Sequence, residues 1–344
     1  MRRFVAAAAM LLGVGAPVAA QDDAGFQEFL GRVRQQALRE GVSARTLDQV
    51  LPTLTFNPRV VALDQAQPGG NPAGPPSTSI PAFAPYRVKH VDRARIDRGR
   101  AKYRALRPLL AQVEARTGVP EEIMIAIWGH ETNYGSYTGD FDLPRSLASL
   151  AYEGRRRELF TTELIATFKM MDRGVPRERL KGSWAGATGY PQFLPSVYLR
   201  LARDGDGDGR ADIWTSEADA LASIANYFVS SGWRPGRPWG VAASAPPYLD
   251  RRAIVGKITS PRCPRVHERH SRWMTVAEWR SRGVVQTGGQ RLRDTELVTL
   301  LEPDGPGATA YLLTSNYRAI LDYNCSNFYA LSVGLLADEV AQAS

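Results

Sequence analysis

The sequence predicts a mainly α fold of the α+β class, with one small β-containing subdomain. Three observations carry that expectation. Apolar residues recur at helical spacing as far as Gly240, caps and stops flank those runs, and the texture then changes to Pro, Gly and Arg with two strand-like stretches.

The elements follow in order. Residues 1–20 read as a signal peptide. Arg2 and Arg3 precede the apolar run from Phe4 to Val18, and the small residues Val18, Ala19 and Ala20 suit cleavage before Gln21. The run is short for a membrane span, an uncleaved anchor being the alternative. No cysteine stands near the cleavage region, so no lipoprotein anchor is expected. In 21–64, Phe26, Phe29, Leu30 and Val33 mark a helix that Gly41 ends, and Ser43 caps a second. Residues 65–87 carry Pro68, Gly69, Gly70, Pro72, Pro75 and Pro76. That composition predicts a linker or extended arm, since proline lacks an N–H. Residues 88–240 form the expected core. Val91 to Gly118 reads as one long polar helix, and Pro120 opens another with Glu121 and Glu122 in its first turn, as the helix dipole prefers. Further helices are expected at about 158–173, 176–181, 194–203 and 217–231. In 241–314, Thr295–Glu302 and Ala308–Thr314 look like strands around the turn at Pro303–Gly307. Residues 315–344 are expected to complete the core as a strand and a helix.

Charge narrows the partners. Against 35 acidic residues stand 43 basic ones, a formal charge of +8 from which cleavage removes two arginines. The excess favours an anionic polymer. The bases are mostly Arg and are spread along the chain, which gives no nucleic-acid stripe. The two cysteines, Cys263 and Cys325, are expected to pair in an oxidising compartment, two buried thiols being the alternative.

The helix after Pro120 carries the chemistry. Ile123, Met124, Ile127 and Trp128 form an apolar face, and Glu131 projects from it. A carboxyl among apolar groups loses hydration, so its pKa rises and it can hold and donate a proton near neutral pH. Periodicity alone equally allows a helix-end glutamate turned to solvent. Thr132-Asn133-Tyr134-Gly135 then ends the helix.

At this point a resemblance enters. Ala126-Ile127-Trp128-Gly129-His130-Glu131-Thr132-Asn133-Tyr134-Gly135 resembles the catalytic-glutamate motif of the membrane-bound lytic transglycosylase B family. Ser183-Trp184-Ala185-Gly186-Ala187-Thr188-Gly189-Tyr190-Pro191-Gln192-Phe193-Leu194-Pro195-Ser196 is similar to its second motif. Ile224–Phe228 and Tyr323–Ala330 match two more blocks, in order. The resemblance implies a lysozyme-like, goose-type core and a periplasmic enzyme acting on peptidoglycan strands, with other cell-wall enzymes as possible partners. It implies that Glu131 protonates the bond between N-acetylmuramic acid and N-acetylglucosamine and then activates the muramoyl C6 hydroxyl, leaving a 1,6-anhydro end. Ser183 would sit near Glu131 or the acetamido group. Gln192 and Tyr190 would bind sugar, and Tyr227, Tyr323, Asn324 and Tyr329 would line the cleft. No catalytic cofactor is implied. Members of the family often carry an extra peptidoglycan-binding module, and none is expected after Ser344. Two rivals stay open: a muramidase using a second carboxylate from Asp140, Asp142 or Glu153, and a non-catalytic glycan-binding scaffold.

Asp204-Gly205-Asp206-Gly207-Asp208-Gly209 matches the opening of an EF-hand calcium loop. Arg210 would offer its carbonyl, and Asp212 falls at the ninth position. Thr215 stands where the closing Glu belongs; the family's longer loop points to Asp219 as the last ligand, with Glu217 as a rival. Calcium here would be structural; a solvated acidic turn is the alternative. The four histidines, His90, His130, His267 and His270, form no metal pattern. His130 is expected to face away from Glu131, and His267 and His270 to lie at the surface.

Overall fold

The computed structural model describes residues 18–67, 82–256, 262–288 and 290–342. Residues 1–17 of the expected signal peptide and 68–81 of the expected arm lie outside the described residues.

Helix α1 (Val18–Arg39) ends before Gly41, whose φ is +88°. Helix α2 (Ala44–Val50) starts where Ser43 accepts the Thr46 N–H, and α3 (Pro58–Gln65) starts where Asn57 accepts that of Arg59. The arm's end is not extended: Phe83–His90 is helix α4. Pro85 sits in its first turn, where proline is tolerated, and buried Phe83 anchors it. The single long helix expected over 91–118 is two, α5 (Arg93–Ala105) and α6 (Arg107–Thr117). Pro108 is the reason: it lacks an N–H and its ring would crowd the carbonyl four residues back. Helix α7 (Glu121–Thr132) carries Glu121 and Glu122 in its first turn, as expected.

Strand β1 (Phe141–Asp142) leads into α8 (Leu143–Glu153), a helix missing from the sequence reading. Its signal was present: Asp142 accepts the Arg145 N–H as a cap, and Leu143, Leu147, Leu150 and Ala151 fall on one face. Helix α9 (Arg157–Asp172) follows; the helix expected at 176–181 is a single 3-10 turn, Arg177–Arg179. Strand β2 (Lys181–Gly182) pairs with β1, and α10 (Pro195–Leu201) and α11 (Glu217–Ser230) complete this half.

The β-containing part holds β3 (Gly240–Ser244), α12 (Pro264–His267), β4 (Met274–Thr275), α13 (Val276–Ser281), β5 (Val285–Gln286), β6 (Leu297–Leu301) and β7 (Ala310–Leu313). The strands form an antiparallel sheet in the order β4-β6-β7-β3-β5, with Val241 opposite Leu312 and Leu300 opposite Leu312 across the two central ladders. Residues 315–342 contain no strand: α14 (Ser315–Tyr323) precedes α15 (Asn327–Ala341). Thr314 caps α14 by accepting the Asn316 N–H, so the chain turns helical directly after β7.

Alternation in β6 and β7 explains how the sheet is held. Val298, Leu300, Ala310 and Leu312 pack with Trp279 and Met274 in the subdomain's own core. Leu301, Tyr311 and Leu313 face the opposite way, into the main helical core of α4–α7, α11, α14 and α15. A second apolar core joins α1–α3 to α8 and α9. The cysteines are bonded, with Cα atoms 5.1 Å apart, tying the start of α12 to the turn between α14 and α15.

His267 and His270 are buried, 2 % and 4 % exposed, which corrects the surface expectation. Asn327 Nδ2 donates to the Val266 carbonyl, so its Oδ1 takes the His270 Nε2 proton at 2.8 Å; Nδ1 then accepts from Thr299 at 3.1 Å. Burial holds His270 neutral, with its pKa near 4.

Candidate active site

Glu131 stands in the last turn of α7, whose preceding residues from Ile123 to Gly129 are all buried. The backbone then makes an abrupt stop: Asn133 and Tyr134 adopt φ of +49° and +60°. Two successive non-glycine residues in the left-handed region are strained, and such strain concentrates at functional sites. The turn is over-determined. Tyr134 donates to the Arg95 carbonyl at 3.0 Å, and Arg98 grips the Asn133 amide oxygen at 2.7 Å. Gly129 makes room for it, since a Cβ there would meet the Tyr134 ring at 2.5 Å.

Tyr329, in the first turn of α15, donates to Glu131 Oε1 at 2.5 Å. Burial raises the Glu131 pKa from 4.5 to about 7, against the lowering effect of that bond. Among the described residues, no other carboxylate contributes to the shift. The candidate second carboxylates are engaged elsewhere or solvated. Asp142 pairs with Arg177 at 2.6 Å, Glu153 accepts the Arg155 N–H at 2.9 Å, and Asp140 is exposed.

The second motif folds as a tight hairpin-like loop beside α7. Gly182 is required there, because a Cβ would meet the Ala187 carbonyl at 1.9 Å. Ser183 Oγ accepts the Ala187 N–H at 3.0 Å, which leaves its hydroxyl proton to give. Gln192, with φ of +49°, donates through Nε2 to the carbonyls of Thr138 and Gly189, both at 3.0 Å. It thereby ties the loop after Glu131 to the second motif. Tyr190 packs 5.5 Å from the Trp128 ring, and Thr132 donates to its carbonyl at 3.2 Å.

The remaining expected cleft residues form an aromatic wall. Tyr323 lies 4.6 Å from Tyr227 and 6.5 Å from Tyr329, ring to ring. Its hydroxyl donates to the Pro191 carbonyl at 2.6 Å, and that of Tyr227 to the Asp322 carbonyl at 2.5 Å. Both hydroxyls are therefore spent on holding the wall. Asn324 is exposed in the turn beside Cys325.

Sequence reasoning missed Tyr86. It comes from α4, inside the expected arm, and its pKa is raised by burial first and by the nearby Glu131 charge second. The prolines hid the helical period that would have found it. His130, expected to face away from Glu131, has its ring 4.7 Å from that of Tyr329, the partner of Glu131.

The acidic loop brings Asp204, Asp206 and Asp219 together, with one carboxylate oxygen of each within 4.8 Å of the others. Asp219 also accepts the N–H groups of Gly205 at 2.7 Å and Asp212 at 2.6 Å. Asp208 instead accepts the Arg210 N–H at 2.8 Å. The rival Glu217 is drawn away to Lys102 at 2.5 Å.

Comparison with known proteins agrees with this geometry. The model of the transglycosylase SLT domain matches residues 25–338. Membrane-bound lytic murein transglycosylase B of Escherichia coli (strain K12) is 30% identical over 321 residues, which cover 92% of this chain and 82% of that protein. The crystal structure of SltB3 from Pseudomonas aeruginosa in complex with NAG-anhNAM-pentapeptide superposes with a TM-score of 0.80 at 38% identity, covering 92% of this chain and 79% of that one. Escherichia coli lytic transglycosylase Slt35 in complex with calcium gives 0.74 at 28% identity, covering 94% of each chain. The chain belongs to the SLT transglycosylase family, with a lysozyme-like fold, and is a lytic murein transglycosylase.

Proposed function

We propose that Glu131 carries out both proton transfers of the lytic reaction. Its proton goes to the glycosidic oxygen as the bond from that oxygen to the muramoyl anomeric carbon breaks. The carboxylate then takes the proton of the C6 hydroxyl as O6 bonds to the anomeric carbon. The carboxyl is regenerated, no water is consumed, and the product ends in 1,6-anhydromuramic acid. The observation that carries this reading is a carboxyl desolvated enough to titrate near 7, with a single strong donor, Tyr329, on Oε1. Tyr329 occupies Oε1, so Oε2 is the oxygen left to hold and deliver the proton. NAG-anhNAM-pentapeptide, the ligand in the SltB3 structure, is the kind of product expected here.

Ser183, Gln192 and Tyr190 shape the second-motif wall, while Tyr323, half-buried against the buried rings of Tyr227 and Tyr329, has a ring face suited to the C–H faces of sugars. Asn324 offers a free amide at the rim. Mass spectrometry of peptidoglycan digested by wild type and by Glu131→Gln tests the assignment. Anhydromuropeptides from wild type alone support it; unchanged release by the variant would overturn it.

Asp204, Asp206 and Asp219 fit a calcium ion, which favours several hard oxygen donors, and Slt35 has been crystallised with calcium. Its role here would be to fix the loop before α11, with Asp208, the Arg210 carbonyl or water completing the shell. The basic, apolar leader and the Cys263–Cys325 bond together favour the periplasm as the working compartment. No helix among the described residues is long and apolar enough to cross a membrane.

A further inference from the structure

We propose that His130 is a positioning residue for the reaction: it holds the turn of α15 that carries Tyr329 so that the phenol keeps its bond to Glu131. The inference rests on the assignment of Glu131 given above.

A serine links the imidazole to the backbone of Tyr329. Ser332 Oγ lies 2.8 Å from the Tyr329 carbonyl and 2.6 Å from His130 Nε2, so the ring is bonded to the hydroxyl that reaches that carbonyl. Neutrality is enforced by burial, which lowers the His130 pKa to about 3, helped by the charge of Arg95 and by His90. A neutral imidazole bonded to Ser332 and held between rings is suited to positioning.

The rings around it leave little freedom. His90 lies parallel at 5.2 Å on one side, itself stacked 3.8 Å from Tyr86 and bonded through Nδ1 to the Tyr86 carbonyl at 2.8 Å. On the other side the Tyr329 ring meets His130 edge-on at 4.7 Å. Thus α4, α7 and α15, from three separate stretches of chain, meet at one imidazole. The adjacent titratable and charged groups are His90, Arg95, Tyr86, Tyr329 and Glu131. His130 and Glu131, consecutive on α7, thus act on Tyr329 from two sides: one accepts its hydroxyl, the other fixes its ring and backbone.

The test uses two substitutions in the full chain. His130→Gln keeps a hydrogen-bonding group of similar reach; His130→Leu keeps bulk and removes that group. The Glu131 carboxyl is followed by carbon NMR, its resonance assigned by its loss in Glu131→Gln. Because the Tyr329 bond lowers the Glu131 pKa, loosening it moves the titration upward. The leucine variant is expected to shift it up by about half a unit or more and the glutamine variant by less. In parallel, kcat for anhydro-product release is expected to fall about tenfold in the leucine variant, with KM unchanged and partial recovery in the glutamine variant. In a Tyr329→Phe background, His130→Leu should cost little further activity. A Glu131 titration identical in wild type and His130→Leu would overturn the proposal, leaving His130 as packing alone, even if the variant melts earlier. The NMR readout does not need Glu131 to be catalytic, so activity retained by Glu131→Gln would remove that assignment without deciding this one.

Discussion

Two carboxylate-bearing regions of this molecule solve opposite problems. At the end of α7, Glu131 is half-buried with Tyr329 bonded to it, and burial lifts its pKa to about 7. In the acidic loop, Asp204 is fully open to solvent, and the N–H groups of Gly209 and Gly207 hold its pKa below the ordinary value. One environment keeps a proton on the carboxyl, and the other keeps it off. The same chemical group holds its proton when burial outweighs its one hydrogen bond, and gives it up when backbone donors and solvent stabilise its charge. Asp219 lies between: burial raises its pKa, against the N–H bonds from Gly205 and Asp212.

The sharpest way to break this comparison is Glu131→Gln. Anhydromuropeptide release is expected to fall by about 10³-fold or more, because an amide can neither give nor take the proton. Stability should move the other way. The folded state holds the Glu131 proton up to about pH 7, whereas the unfolded chain loses it near 4.5. Stability contributed by this group is therefore full below pH 4.5 and is lost as pH rises to 7 and above. The cost above pH 7 is at most roughly 3 kcal/mol. Urea unfolding of the variant should show a gain over wild type at pH 8 that vanishes at pH 4. Equal gains at both would place the carboxyl in a wetter site than described.

The next effect separates covalent from ionic restraint. The Cys263–Cys325 bond spans 62 positions of chain and secures the turn bearing Asn324. Replacing both cysteines by serine should cost about 4 kcal/mol if loop entropy dominates. The urea midpoint measures that loss.

The acidic loop should respond to calcium, and the catalytic site should not. At a concentration one hundred times its Kd, calcium is expected to add about 2.7 kcal/mol. Asp219→Asn should abolish that increment, since it weakens a ligand and both bonds to Gly205 and Asp212. Thermal melts with calcium and with chelator read the difference. A loss of kcat at low temperature, where the protein stays folded, would join the two regions functionally and undo their contrast.

How much of this was legible follows from distance along the chain. Glu131 and the acidic run stood out because each is announced by its neighbours: an apolar helix face, which alone left a solvent-facing glutamate equally open, joined to a family-like motif in one case, and alternating Asp and Gly in the other. The split at Pro108 and helix α8 were written locally too, in a proline and in an Asp142 cap, and were passed over. His270 and His130 were not legible. Their surroundings are set by Asn327 and Ser332, 57 and 202 positions away, and no local pattern says that a histidine will be closed over by a distant helix. Tyr86 was hidden for a related reason, since the prolines around it argue against the helix that delivers it. The strands at 297–301 and 310–313 fall within a residue or two of the expected ones because the turn at Pro303–Gly307 separates them. Their shared role, one face in each core, is a tertiary fact.

The smallest expected effect probes the balance within the glutamate site itself. Tyr329 donates to Glu131 Oε1 at 2.5 Å and opposes the effect of burial. Tyr329→Phe removes the donor and keeps the ring, so the carboxylate loses its one strong stabilising contact. A hydrogen bond to a charged acceptor is worth roughly 1.5 kcal/mol, or about one pH unit. On the proposed assignment the protonated acid starts the reaction, so activity should fall as pH rises through the Glu131 pKa. In the variant that falling limb should move about one unit higher, while the plateau below it drops about tenfold as the carboxyl loses its orientation. The profile of kcat/KM from pH 4 to 9 separates the two changes. A limb that stays in place while the plateau drops would mean that Tyr329 orients the acid without tuning it, and burial alone would then set the pKa.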